Sequence, residues 1–244
     1  MKNNIINKRN KVKISIMQPY LFPYIGYYQL INFVDKFVFY DDVSFIKRKW
    51  INRNYILVNG MPYRFTVPLS KASQNKLILD TFVDEQKFVY WREKFIKTIF
   101  MHYKFSPYRD KVINLISKTL SSDYGSISKY CSASISNVMN YLDLKINNIQ
   151  LSSLLGGKDL SRVDRLIYIT KKLGGDTYVN NDSGKNLYSE ELFKEKEIYL
   201  LFFEANIKEY TQKSKNQKFI PSLSILDILM NCSKRECRDL LQTF

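Results

Sequence analysis

The chain has 244 residues, 45% hydrophobic and 25% charged, with 18 Tyr, 16 Phe and little Gly or Pro, which excludes fibrous, low-complexity and disordered classes and allows a sizeable core. Its 38 Lys and Arg against 23 Asp and Glu leave a net charge of +15, suited to anionic partners such as nucleotides, nucleotide sugars, tRNA or an anionic membrane surface. Three Cys without metal-like spacing, one His, a charged N-terminus and no long apolar run exclude a disulfide scaffold, hydrolytic zinc chemistry and membrane insertion, and point to a cytoplasmic protein.

In chain order, residues 1–11 read as a loosely attached leader, and residues 12–244 as a single α/β domain. The run VKISIM is a first strand, followed by the Pro-rich aromatic turn Gln18 to Tyr24. A helix from about Gly26 to Val34 and a second strand, Phe37 to Tyr40, follow and lead into Asp41-Asp42. Residues 43–84 form a β insertion: Asn54 to Leu69 is a hairpin around Asn59-Gly60, and Lys76 to Asp84 alternates as one more strand. Residues 86–142 form a helical insertion, with helices at 86–103, 108–120 and 126–142, the last capped by Ser126 or Ser128.

The α/β pattern then returns. Strands are expected at 148–151, 177–179 and 198–203, with helices at 160–173 and 189–196, and a loop at 180–185. Two tail helices, 224–230 and 234–241, complete the chain. Strands near 12, 37, 148, 177 and 199, joined by helices within each half, predict a doubly wound, Rossmann-like parallel sheet.

Ligands gather at the carboxyl ends of strands in such sheets, which directs attention to particular residues. In the first turn, Gln18 can read a neutral polar group, Tyr24 is aromatic lining, and Gly26 allows an anion to approach a helix N-terminus. Asp41 and Asp42 suit orientation of an amine or binding of Mg²⁺, although adjacent Asp residues more commonly cap turns. Lys47, Arg48, Asn52 and Arg53, interleaved with Trp50, form a basic aromatic cluster able to grip phosphate and stack a base or sugar. His102 is the single imidazole and hence a catalytic candidate, but a lone His late in an amphipathic helix is more often packing or surface. The second half adds Ser152, Arg165, and the stretch carrying Asn180, Ser183, Gly184 and Tyr188, with the hydroxyl and free N–H groups an anion or sugar needs. Gln212 completes the binding candidates. Asp227, on an otherwise apolar helix, requires a partner.

Several long segments, MQPYLFPYIGYYQLINFVDKFVFYDDVSFIKRKWINRN with FTVPLSKAS, then SSLLGGKDLSRVDRLIYITKKLGGDTYVNNDSGKNLY and FIPSLSILDILM, resemble the WbqC-like family of bacterial O-antigen and surface-polysaccharide gene clusters. The resemblance implies transfer of an amino acid such as glycine onto a sugar. A departure is Val179-Asn180-Asn181-Asp182 ahead of Ser183-Gly184, where a smaller Gly-containing loop is expected, and it bears on the acceptor. A weaker likeness of layout, strand then Pro-bearing turn then Gly26-Tyr27-Tyr28, is to HIGH-motif (HUP) nucleotidyltransferases such as pantothenate synthetase. The HIGH histidines are absent, with Pro23 and Tyr27 nearby instead, so this is an analogy of fold.

The resulting expectation is a transferase joining an aminoacyl or acyl group to the amine of a dTDP- or UDP-linked amino sugar. Asp41 or Asp42 would handle the amine, Arg48 and Arg53 would hold phosphates, and Gln18 and Ser183 would orient the substrates. The donor is ATP with Mg²⁺ plus an amino acid, aminoacyl-tRNA or acyl-CoA. The competing expectations are an ATP-dependent amide ligase or nucleotidyltransferase working through an adenylate, and a non-catalytic RNA-binding protein. No sequence feature assigns an oligomeric state.

Overall fold

The computed structural model describes residues 11–144, 149–213 and 218–242. Of the expected leader only Lys11 is described; Asn148, which opens an expected strand, and residues 243–244 also lie outside the described residues.

Five parallel strands form the central sheet: β1 (Lys13–Met17), β2 (Lys36–Phe39), β5 (Ile149–Leu151), β6 (Thr177–Asn181) and β7 (Tyr199–Phe203). Their order is β5-β2-β1-β6-β7. Ser15 sits between Phe37 of β2 and Val179 of β6 in the parallel register. The side-chain period of two divides the sheet into two faces. Phe37, Phe39, Val179 and Phe203 belong to one core cluster. Ile14, Ile16, Val38, Tyr178 and Leu200 belong to the other. Helix α1 (Ile25–Phe33) lies with the first face, and α5 (Arg162–Lys172) and α6 (Glu190–Glu195) cover the second. The chain winds outward from β1 through β2 to β5, then crosses back to β6 and β7. The strand order therefore reverses between β1 and β6, giving the α/β, Rossmann-like fold with a crevice at that switch point.

Between β2 and β5 the chain makes the antiparallel hairpin β3 (Arg53–Val58) and β4 (Met61–Thr66), then helices α2 (Glu85–His102), α3 (Arg109–Ser121) and α4 (Ile127–Tyr141). Positive φ at both Asn59 and Gly60 gives the mirror-image turn whose twist suits a two-residue hairpin. Ile51, Ile56, Phe95, Ile99 and Cys131 continue the apolar cluster of the first sheet face into these elements. Helices α7 (Ile225–Asn231) and α8 (Lys234–Leu241) lie on the same face. Ser224 caps α7 and its hydroxyl donates to Phe22 O at 2.7 Å, while Ile225 N donates to Pro23 O. The tail thus folds back beneath the first turn.

Two sequence expectations need correction. Residues 76–84 do not form a strand. Leu77, Phe82 and Val83 bridge singly to Ser44, Ser126 and Leu69, and turn bonds from Asp80 to Leu77 and Thr81 to Ile78 break the extension. Three different partners replace one continuous neighbour. Conversely, β6 runs two residues past Val179, because Asn180 and Asn181 pair with Phe202 and Phe203. Residues 182–185 of the expected loop, continuing to Leu187, coil into a 3₁₀ turn.

Candidate active site

A two-lobed crevice opens at the carboxyl ends of β1 and β6, at the topological switch point. The first lobe, about 600 Å³, is lined by Gln18, Tyr40, Asp42, Lys158, Arg162, Arg165, Asn180, Ser183, Gly184 and Tyr188 among others. The second, about 460 Å³, is lined by Tyr24, Tyr27, Trp50, Asn54, Asp182 and Glu204 among others. Met17, Tyr20, Asn181 and Ser183 border both.

The polar centre of the first lobe begins with β2. Asp41 and Asp42 follow the strand and are both buried. Strand β5 ends beside them and turns into a 3₁₀ segment, Ser152–Leu154. The Ser152 hydroxyl lies between the carboxylates, 3.1 Å from Asp41 Oδ1 and closer to Asp42 Oδ1. A hydroxyl has one proton and can donate to only one of them at a time. Asp41 also accepts from Ser153 N (3.1 Å) and Ser153 Oγ (3.2 Å). It fastens β5 to β2 and is not among the residues lining the crevice. Asp42 does line it, and its Oδ2 lies 2.5 Å from Arg165 Nη2.

Arg165 comes from the first turns of α5, which Ser161 caps by accepting from Asp164 N. Its guanidinium packs 5.1 Å from the Tyr40 ring centroid, and Nε donates to Gly156 O at 3.4 Å. Burial works against its charge, but the hydrogen bond and charge of Asp42 outweigh burial and hold its pKa above the ordinary guanidinium value. Burial raises the Tyr40 phenol, with Arg165 pulling in the opposite direction.

Two further cations stand at this lobe. Lys158 Nζ is 4.0 Å from Asp42 Oδ2, with its side chain 56% exposed. Arg162 lies over the Tyr188 ring at 5.4 Å. Lys158, Arg162 and Arg165 face one carboxylate, Asp42, so the lobe carries an excess of positive charge near the start of α5, where the helix dipole adds to it. Tyr40 and Tyr188 supply ring surface. The arrangement offers cations to an anionic group, ring surface to an apolar face and one carboxylate to a donor.

The sequence candidates fall into three groups. Gln18, Asp42, Arg165, Asn180, Ser183, Gly184 and Tyr188 meet in the first lobe, with Ser152 and Asp41 directly behind. Asn180 Oδ1 accepts from Asn181 N at 2.9 Å, and Tyr24 in the second lobe accepts from Asn181 Nδ2 at 3.2 Å. Lys47, Arg48 and Arg53 belong to the segment that borders both lobes, since Ile46 lines the first and Trp50 the second. Asn52 instead donates its amide to Val67 O, in the hairpin.

The remaining candidates lie elsewhere. Gly26 is buried, and a Cβ there would lie 2.6 Å from Ala205 Cβ and closer still to the Tyr24 ring. It serves close packing of α1, and an anion has no approach to it. Gln212 donates to Tyr210 Oη and Ile220 O and accepts from Ile220 N, tying down the tail loop. His102 Nδ1 accepts from Asn59 N at the hairpin turn, 3.4 Å away, and lines neither lobe.

Residue-by-residue reading missed Lys158, Arg162, Tyr20, Tyr40 and Asn181. Lys158 and Arg162 had a partial signal: Gly156-Gly157-Lys158 follows a strand and Arg162 follows the cap Ser161, which puts both between a strand end and a helix start. Tyr40 and Asn181 belong to strands, and only the sheet order turns their ends toward one another.

Among the described residues no group of three or more His, Cys, Asp or Glu is placed to hold a metal ion, and no helix is long and apolar enough to cross a membrane. No solved structure matches the chain. The uncharacterized protein Rv1507c of Mycobacterium tuberculosis is 26% identical over 224 residues, covering 90% of this chain and 93% of its own. The profile of the WbqC-like protein family matches residues 18–239. That span begins at Gln18 on the crevice floor, takes in both carboxylates, the insertion and the Lys158–Arg165 arm, and ends in the last helix: the chain belongs to the WbqC-like protein family.

Proposed function

We propose that the protein is a cytoplasmic transferase that joins an aminoacyl, glycyl-like, or acyl group to the amine of a nucleotide-linked amino sugar in O-antigen or surface-polysaccharide synthesis. The observation that carries this reading is the meeting of two unlike lobes at Ser183. One is cationic and aromatic with a single carboxylate facing it; the other is walled by Tyr20, Tyr24, Tyr27 and Trp50. Lys158 and Arg162 neutralise the diphosphate of a dTDP- or UDP-sugar. Tyr188 and Tyr40 pack on the sugar, and Asp42, ion-paired with Arg165, orients the amine. The amine nitrogen attacks the acyl carbonyl, Asp42 receives its proton, and the carbonyl oxygen becomes an oxyanion that Ser183 meets at the junction. Collapse restores the carbonyl as an amide and expels the donor's carrier. Asp41 and Ser152 are positioning residues that hold Asp42 in place.

The test is mass-spectrometric detection of the amide formed from dTDP- or UDP-amino sugars with each class of donor. With a productive pair, Asp42→Asn is expected to lower kcat by about 10²-fold or more, the scale of a lost acid–base group, while Arg162→Ala chiefly raises KM for the nucleotide sugar. Undiminished turnover by Asp42→Asn would exclude the proton-transfer role. Pyrophosphate release from ATP on addition of amino acid and amino sugar would instead identify the adenylate-forming ligase.

A further inference from the structure

The β insertion carries a concentration of charge that the first lobe does not use. Between Asp42 and Asp80 the chain has seven Lys and Arg (Lys47, Arg48, Lys49, Arg53, Arg64, Lys71 and Lys76) and no Asp or Glu. Among the described residues none of these cations is in an ion pair.

Three arginines of this set stand near one another. Arg53 and Tyr55 lie on one face of β3, and Arg64 is directly opposite Tyr55 on β4. Arg53 Nε donates to Lys49 O at 2.8 Å, pinning the side chain to the turn that presents Arg48. Its Nη2 is enclosed without an acceptor among the described residues. Burial first, and then the charges of Arg64 and Arg48, lower the Arg53 pKa, which places Arg53 in the field of both. Arg48 itself is exposed and holds a left-handed backbone, φ 63°.

Beside these arginines stands an aromatic platform. Trp50 is 47% exposed and its ring lies 6.0 Å from that of Tyr55. Trp50 also lines the second lobe, and Ile46 the first. The cationic turn therefore spans the rim of the crevice.

Exposed arginines beside an exposed ring are what binds single-stranded nucleic acid: the Arg48 and Arg64 guanidinium groups are open to bidentate phosphate contact, Arg53, with Nε on Lys49 O and Nη2 enclosed, offers Nη1, and a base stacks on Trp50. A free nucleotide would need only two or three of the cations, whereas this surface runs over the whole insertion. We infer that the rim formed by Arg48, Trp50, Arg53, Tyr55 and Arg64 docks a single-stranded RNA end, placing its terminal group in the aromatic second lobe. On the transferase reading above, on which this use of the site rests, that RNA is the carrier of the aminoacyl donor. RNA affinity itself is independent of turnover.

The experiment is fluorescence anisotropy of a labelled single-stranded RNA 12-mer and of deacylated tRNA between 50 and 200 mM NaCl. Wild-type affinity is expected to fall steeply with salt. The triple variant Arg48→Ala/Arg53→Ala/Arg64→Ala should bind at least tenfold more weakly at 100 mM, with a log–log salt slope shallower by about 2, from about 0.7 per lost single-strand phosphate contact. Lys111→Ala/Lys118→Ala/Lys171→Ala removes three exposed cations from α3 and α5 and should bind as wild type; circular dichroism melting establishes that both variants are folded. Equal losses in both triple variants would reduce the affinity to net charge and overturn the assignment. So would displacement of RNA by equimolar coenzyme A or ATP, which would mark a small-nucleotide site, or a rim-dependent preference for phosphatidylserine vesicles over RNA. RNA binding that survives Asp42→Asn while no donor yields an amide would leave the docking surface standing and discard the transferase reading.

Discussion

Asp227 is fully buried on α7, amid phenols and an amide. Tyr103 Oη donates to Oδ1 at 2.6 Å and Tyr210 Oη to Oδ2 at 2.8 Å. Gln212 in turn donates to Tyr210, which gives that residue a structural role in place of the substrate contact expected of it. Burial raises the Asp227 pKa above the ordinary carboxyl range, and the hydrogen bonds from Tyr103, Tyr210 and Gln212 only partly oppose it. With the folded value above the unfolded one, the native state binds more protons. This group's contribution to stability is therefore fully present below the unfolded pKa, about 4, and is lost as pH rises through the folded value. Asp227→Asn cannot ionise, so its deficit relative to wild type should be smaller at pH 7 than at pH 4 in urea denaturation. A deficit equal at the two pH values would contradict the assignment. Asp227→Ala leaves the Tyr103 and Tyr210 hydroxyls without their acceptor and should lose about 1–3 kcal/mol at pH 4, and less at pH 7 for the same reason.

At the scale of elements, Gly26 shows how far a sequence motif can be right about place and wrong about use. A Gly after a strand and turn, opening a helix, reads as an anion cradle. Here the missing Cβ lets α1 close against Ala205, beyond the end of β7, and against the Tyr24 ring. Gly26→Ala must push Ala205 or Tyr24 aside, an overpacking of about 1–3 kcal/mol. It should lower the melting temperature, and by disturbing Tyr24 it should alter the second lobe before the first. An unchanged melting temperature would show that α1 can slide to absorb the methyl group. The strands and most helices were legible because each has local causes: a β-type run in β1, an apolar run in β2, helical spacing in α2, Asn59-Gly60 between β3 and β4. The bridging run 76–84 was illegible because its alternation matches three unrelated partners. Of the site, Asp42, Arg165 and Ser183 were readable as polar groups beside strand ends. Lys158 and Arg162 were not singled out, since their importance comes from the crossover that sets α5 over Tyr40 and Asp42.

At the scale of the whole molecule, the formal charge of +15 is unevenly compensated. Exposed pairs such as Lys87–Asp84 and Lys234–Asp143 lie in the helical insertion and the tail. Among the described residues the hairpin rim has no such partners, and its like charges are held closer together when folded than when the chain is extended. Such self-repulsion opposes the compact state and is relieved by salt, whose screening length shortens from about 30 Å at 0.01 M to about 8 Å at 0.15 M. Raising NaCl over that range should therefore raise the melting temperature, each 2–4 °C corresponding to about 1 kcal/mol for a chain of this size. The gain should shrink in Arg48→Ala/Arg53→Ala/Arg64→Ala and persist in a variant that removes three cations elsewhere, such as Lys111→Ala/Lys118→Ala/Lys171→Ala. A salt response identical in the two triple variants would mean that the repulsion is spread over the surface and that the rim stores none of it. A larger response in the second would move the strained charge to the α3 and α5 surfaces. Loss of the gain in the rim variant alone would tie the unpaired arginines to a stability deficit that an anionic partner is placed to relieve.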